Sequence, residues 1–162
     1  MLFFIDLGTR QVYFAGFTEH PTKARVTQQA RQMVWQLEEH DLPMRFLIHD
    51  RDTKFTQSFD TVFRSEKLKI FRTPYRAPNA NAFAERWVRT VREDCLDKLI
   101  IINQQHLRWV LLEYTSYYNS SCPHQGLEQR IPVPQREPVV DSGPVLCHDV
   151  LGGIIHDYPR AA

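Results

Sequence analysis

At 162 residues, with 43% hydrophobic and 12% aromatic content, the chain has the length and composition of one ordinary globular domain. A net charge of +1 announces no nucleic-acid partner, so any basic surface has to be local. Three scattered cysteines (Cys95, Cys122, Cys147) without a CxxC pair argue against a disulfide framework or a zinc knuckle and for a reduced interior. No apolar run approaches the roughly 18 residues of a membrane span. Met1 to Asp6 lacks the basic start of a signal peptide, so the cytoplasm is the expected compartment, with no membrane partner.

Leu2–Leu7 and Val12–Thr18 are short apolar runs separated by a turn-like Gly8-Thr9-Arg10-Gln11, which predicts an antiparallel hairpin. Pro21-Thr22 opens a helical pattern with Val26, Ala30, Met33, Val34 and Leu37 on one face, running to about His40, and Pro43 ends the connection that follows. Arg45–His49 reads as a buried strand, Gln57–Glu66 as a helix with Phe59, Val62 and Phe63 on its apolar face, and Lys69–Arg72 as a brief strand. Pro74–Asn81 is a loop. Two helices follow, Ala82 to about Leu99 and Gln105–Tyr118. From Pro123 onward lie six of the ten prolines. Gly152-Gly153 between Val145–Leu151 and Ile154–Tyr158 predicts a small terminal hairpin. The order ββαβαβαα implies an α/β layered domain over residues 1–122, with an extension over 123–162.

Chemistry is suggested by two carboxylates. Asp50 follows the strand Arg45–His49, and sites collect at strand ends in α/β sheets. On a helical wheel at about 100° per residue, Glu85, Arg89 and Arg92 share one face of the Ala82–Leu99 helix. Ala84, Trp87, Val88, Val91, Cys95 and Leu99 fall on the opposite, core-facing side. Carboxylates from a strand end and a facing helix suit Mg²⁺, which takes oxygen ligands together with substrate phosphates. Two such ions clamp the attacking and leaving oxygens of a phosphodiester displacement. Each residue also has an ordinary reading: an aspartate after a strand commonly caps a turn, and a helical glutamate beside arginines is commonly a solvated ion pair worth less than about 1 kcal/mol.

Three motifs, taken together, change that balance. His-Asp-Arg-Asp-Thr-Lys-Phe (His49–Phe55) resembles the second-aspartate motif of retroviral-type integrases and insertion-sequence transposases. Thr73–Trp87 (Thr-Pro-Tyr-Arg-Ala-Pro-Asn-Ala-Asn-Ala-Phe-Ala-Glu-Arg-Trp) resembles the loop and helix that bear the family's glutamate, and Asp50 and Glu85 are 35 positions apart, the spacing the resemblance calls for. Tyr118-Asn119 through Cys122-Pro123-His124, followed by Pro132, resembles its closing Tyr-Asn-x-x-Arg-Pro-His motif. The similarity runs from residue 1 to about 134. It implies a ribonuclease H-like mixed sheet flanked by helices, Mg²⁺ or Mn²⁺ held by Asp50 and Glu85, DNA as partner, and a homo-oligomer in an intact member. The chemistry it implies is DNA strand transfer by a D,D,E carboxylate set. Tyr75, Arg76, Arg86, Arg89 and Arg92 are the expected DNA contacts, and Tyr118, Asn119 and His124 a structural motif.

The sequence also departs from the pattern. Leu2–Arg10 resembles the family's second strand, which places the first aspartate, on the central strand, ahead of Met1. The expected consequences are a chain inactive by itself and a fold left with unpaired inner strands, either marginal and aggregating or closed by pairing Leu2–Leu7 with Arg45–His49. A non-catalytic DNA-binding or regulatory remnant is the alternative function, and an unrelated ribonuclease H-like nuclease is disfavoured by the Tyr118–Leu127 motif. Cys122 stands where the family usually has Arg. Asp6 reads as a turn residue rather than a replacement carboxylate. Asp52 reads first as a loop cap and otherwise as a support for, or alternative to, Asp50. His49 reads as a strand-end residue under a helix, His124 as the maker of a structural hydrogen bond, and Trp87 as packing. From Arg64 to Lys98 there are nine Lys or Arg against five acids, a modest local excess that would suit a phosphate track.

Overall fold

A computed structural model describes residues 1–18, 20–39, 42, 44–75, 81–134 and 143–160. The elements are β1 (Leu2–Ile5), β2 (Val12–Gly16), α1 (Lys23–Glu39), β3 (Phe46–His49), α2 (Gln57–Ser65), β4 (Lys69–Arg72), α3 (Ala82–Asp94), α4 (Gln104–Ser120), β5 (His148–Val150) and β6 (Ile155–Asp157). The protein is therefore mixed α/β, in the order the hydrophobic periods predict. Pro43 and residues 76–80, including Arg76, lie outside the described residues.

The chain divides into two compact units, Met1–Phe3 with Ala15–Glu85, and Phe4–Phe14 with Arg86–Ala162. In the first, α1 packs on α2. Val26, Ala30, Met33, Val34 and Leu37 are buried from α1, and Phe59 and Phe63 from α2. The two phenylalanine rings meet edge-on at 5.1 Å. Thr56 caps α2 by accepting the Phe59 N–H. In the second unit Trp87, Val91 and Cys95 of α3 are buried, as are Val110, Leu111 and Tyr114 of α4, together with Val12 and Leu151. Asn103 caps α4, taking the His106 N–H at 2.8 Å.

Two helix predictions shift. Helix α3 ends at Asp94, not Leu99, because Cys95 leaves the helical backbone (φ −136°, ψ −66°) and a 3₁₀ turn, Leu96–Lys98, follows. Val88, predicted to face the core, is 37% exposed. It sits at the edge of the apolar stripe, about 60° from the line through Val91.

The strands form three two-stranded sheets, β1-β2, β3-β4 and β5-β6. Strands β3 and β4 are parallel, in register from Phe46 opposite Lys69 to His49 opposite Arg72. Among the described residues no ladder joins Leu2–Leu7 to Arg45–His49, so the predicted closure of that gap is not what forms, and the strands do not make one continuous mixed sheet. The β1-β2 turn is held by Asp6, whose Oδ1 accepts the Gly8 N–H at 2.7 Å and whose Oδ2 accepts the Thr9 hydroxyl at 2.9 Å. That occupation is a turn residue's.

Candidate functional site

The parallel register of β3 and β4 brings His49 level with Arg72 and places Asp50 at the strand's C-terminal end. The loop after β3 is built from successive carboxylate-to-backbone bonds. Asp50 Oδ1 accepts the Asp52 N–H and Asp52 Oδ1 accepts the Lys54 N–H, each at 2.9 Å. Asp52 Oδ2 also faces Lys54 Nζ at 3.2 Å. The Lys54 N–H bond above all, with some help from the Lys54 ammonium, holds the Asp52 carboxyl below the usual aspartate range. Asp52 is thus a loop cap with both oxygens engaged by Lys54. Arg51 Nε donates to the Thr73 carbonyl at 2.9 Å, tying this loop to the end of β4.

Beneath the loop lies a polar centre that the apolar pattern of α2 hides. Asp60 is 1% exposed. Its Oδ1 is 3.0 Å from His49 Nε2, its Oδ2 accepts from Arg72 Nη2 at 2.8 Å, and Arg64 Nη2 stands 3.6 Å away. His49 Nδ1 is 2.6 Å from the Asp50 carbonyl. Both ring nitrogens therefore face oxygen atoms, one of the Asp60 carboxylate and one of the Asp50 backbone. Phe55 and Phe59 pack on the imidazole at 4.9 and 5.6 Å between ring centroids. Asp60 thereby acts on Asp50 through His49, gripping the backbone of the residue whose carboxylate is the candidate ligand. Sequence reading placed His49 under the helix but missed Asp60, since a buried aspartate inside an apolar run announces itself only through its partners.

Glu85 lies in the first turn of α3 and is exposed. Among the described residues no ion pair engages either Asp50 or Glu85. Arg86, Arg89 and Arg92 are exposed on the same helix, and Arg92 Nε is 3.6 Å from Asp97 Oδ1. Tyr75 is 77% exposed. Hard carboxylate oxygens at Asp50 and Glu85 fit a divalent ion such as Mg²⁺ in donor chemistry. Asp50, Asp52 and Glu85 do not form a three-donor cluster. Among the described residues the trio with donor atoms within 4.8 Å of one another is Cys147, Asp149 and His156, which sequence reading did not single out.

The Tyr118, Asn119 and His124 motif is a packing device. Asn119 takes the Val12 N–H on Oδ1 at 2.9 Å and gives its Nδ2 to the Val12 carbonyl at 2.8 Å, so a side chain stands in for a neighbouring strand. The Tyr118 ring lies 4.5 Å from Trp87 and 4.4 Å from His124. Burial pushes the Tyr118 hydroxyl up to about 12. The backbone from His124 folds back on itself, the His124 N–H donating to the Arg130 carbonyl at 3.0 Å, and the Val133 N–H closes on the Asn119 carbonyl at 2.9 Å.

Burial holds His124 below its ordinary value of 6.5, despite a bond to the Tyr118 backbone that favours the charged ring, and its Nε2 is buried without a partner. The sign follows from linkage. Between the lowered folded value and about 6.5, the unfolded chain takes up a proton that the folded one refuses. Stability should therefore decline as pH falls through that window, and His124→Asn should flatten the decline. Urea denaturation of both chains across mildly acid pH checks this; identical pH profiles would remove His124 as the cause.

Residues 66–132, about two-fifths of the chain, match the family model described as integrase core domain. The matched segment contains Glu85, the three arginines of α3 and the Tyr118–His124 motif. A search of curated proteins found no match.

Proposed function

We propose that this chain, an integrase/transposase catalytic core by the match over residues 66–132, works on DNA as part of a D,D,E transposase or integrase with a ribonuclease H-like ancestry. The observation that carries the reading is that the match spans the Glu85 helix and the Tyr118–His124 motif, with Asp50 positioned at a strand end by the His49–Asp60 contact. In this reading the core spans residues 1–122, and 123–162 is an extension that contributes the closing turn and the β5-β6 hairpin. Asp50 and Glu85 are the residues that would hold a divalent ion, Mg²⁺ or Mn²⁺. When bound, such an ion supplies charge stabilisation to a phosphodiester displacement. The chain's own contribution is to aim the Asp50 carboxylate through the Asp52 N–H and the His49 clamp, and to present Arg86, Arg89 and Arg92, with Tyr75 and Arg76, to backbone phosphates.

The chain by itself is read as a DNA-binding partial core without strand-transfer activity, because Asp50 and Glu85 supply two of the three carboxylates of a D,D,E set. A binding or regulatory role is the second reading, favoured by the same missing donor. In fluorescence titrations with duplex DNA, log affinity should fall linearly with log salt concentration. Arg89→Ala should reduce the slope by about 0.9, one phosphate's worth, and weaken all sequences alike. A slope unchanged in Arg89→Ala removes α3 from the interface. Once a third carboxylate is supplied, Mg²⁺-dependent nicking and joining of DNA should appear, and Glu85→Gln should abolish both reactions. Activity surviving that change would reject the role of Glu85.

A further inference from the structure

We infer that the β5-β6 hairpin is a binding site for a zinc-type transition metal, with Cys147 Sγ, Asp149 Oδ1 and His156 Nδ1 as ligands. The three side chains share one face of the hairpin. Asp149 lies in β5, and Cys147 stands two positions ahead of it, just before the strand, with its sulfur 3.9 Å from the Asp149 carboxylate. His156 is the direct cross-strand partner of Asp149 in the antiparallel register. The turn that sets this register is glycine's: Gly152 and Gly153 have φ of 66° and 93°, where other L-residues are strained.

The donor atoms already stand near the corners a tetrahedral ion requires. Cys147 Sγ is 3.8 Å from His156 Nδ1 and 3.9 Å from Asp149 Oδ1, and His156 Nδ1 is 2.8 Å from Asp149 Oδ1. Tetrahedral zinc, at its usual bond lengths, separates a sulfur from a nitrogen or oxygen ligand by about 3.6 Å and a nitrogen from an oxygen by about 3.4 Å. The sulfur distances need to close by about 0.2–0.3 Å and the nitrogen–oxygen pair to open by about 0.6 Å, as the ion takes the place of the proton shared between His156 and Asp149. Thiolate and imidazole select zinc, cobalt or copper over magnesium, which demands oxygen. This site is therefore chemically distinct from the Asp50 and Glu85 carboxylates. All three ligands are exposed, so the ion has an open approach and a fourth position for water or an outside donor.

The hairpin is anchored independently of any ion. Leu151 is 4% exposed, and its N–H donates to Glu113 Oε1 of α4 at 2.7 Å. The Leu146 N–H bonds the Pro159 carbonyl at 2.9 Å, continuing the pairing beyond Cys147. Metal binding therefore clips a hairpin that is already in place.

The test is titration of the full chain with Co²⁺ and Zn²⁺ under reducing conditions, with absorbance and calorimetry as readouts. One equivalent of Co²⁺ should give a thiolate charge-transfer band, and Zn²⁺ should displace it. Cys147→Ser should abolish the band and, like His156→Ala, weaken Zn²⁺ binding by at least about tenfold, the loss that even an outer partner of a metal ligand carries. Cys122→Ser, Asp50→Asn and Glu85→Gln should leave both signals intact. Far-UV circular dichroism of each variant checks that the exposed substitutions leave the fold unchanged. Absence of stoichiometric binding, a band that survives Cys147→Ser, or binding lost with Asp50→Asn instead would overturn the assignment. None of these readouts uses DNA, so failure here leaves the integrase reading standing, and the converse also holds.

Discussion

Asp60→Ala should cost the protein about 3 kcal/mol or more, measured by urea denaturation, because breaking a buried pair by removing one partner typically costs about 3–5 kcal/mol. The substitution leaves the His49 side chain, only 5% exposed, facing no carboxylate. Arg72 and Arg64 are about half exposed and return to water, so they add little to the loss. Against a typical total of about 5–15 kcal/mol, this is a large share. Asp60→Asn keeps an oxygen acceptor for His49 Nε2 and should lose less. The effect should reach Asp50. Without its clamp on the Asp50 carbonyl, the loop should open more often, and hydrogen exchange at the Asp52 and Lys54 amides should speed up well before global unfolding. A loss below about 1 kcal/mol, with those amides unchanged, would show that His49 holds its place without Asp60.

The second large effect belongs to the other unit. Trp87→Ala should destabilise by about 3–5 kcal/mol, the range for truncating a large buried aromatic. Trp87 is 2% exposed and packs against Tyr114 at 5.6 Å as well as Tyr118. The loss should spread to His124 through Tyr118, so the variant should also lose part of its pH sensitivity. Trp87→Phe retains a ring and should recover part of the stability. Trp35, 77% exposed on α1, is the internal control, and Trp35→Ala should stay within about 0.5 kcal/mol of the parent. Equal effects at the two tryptophans would contradict the packing described here.

Much of this organisation is legible in local pattern. The 3.6-residue period exposes the buried face of α1, from Val26 to Leu37, and of α4, from Val110 to Tyr114. The glycine pair at 152–153 announces the terminal hairpin. Local rules misplace three things: α3 stops at Cys95 with no Gly, Pro or capping residue to signal it, Val88 lies on the border of its stripe, and β3, read as a buried strand, leaves Phe46 and Ile48 about half exposed. The pairing of Asp50 with Glu85 is what the family resemblance implies, and Arg76 falls in a segment outside the described residues. The polar partnerships are of another kind. Asp60 sits among phenylalanines and gave no signal of burial. Asn119 serves Val12 from 107 positions away. Cys147, Asp149 and His156 look unrelated along the chain, and no CxxC or regular ligand spacing marks them.

By itself the amino-acid order determined which segments become helix or strand, which faces of α1 and α4 are buried, and which family the 66–132 segment resembles. Those properties depend on neighbours within a turn or two of backbone. Only the tertiary structure decided that His49 and Arg72 share Asp60, that β1 and β3 remain unpaired with each other, and that a thiol, a carboxylate and an imidazole meet on one hairpin face. Such contacts are set by register between distant strands and helices. A single-residue slip in that register would separate every donor from its acceptor while leaving the local pattern unchanged.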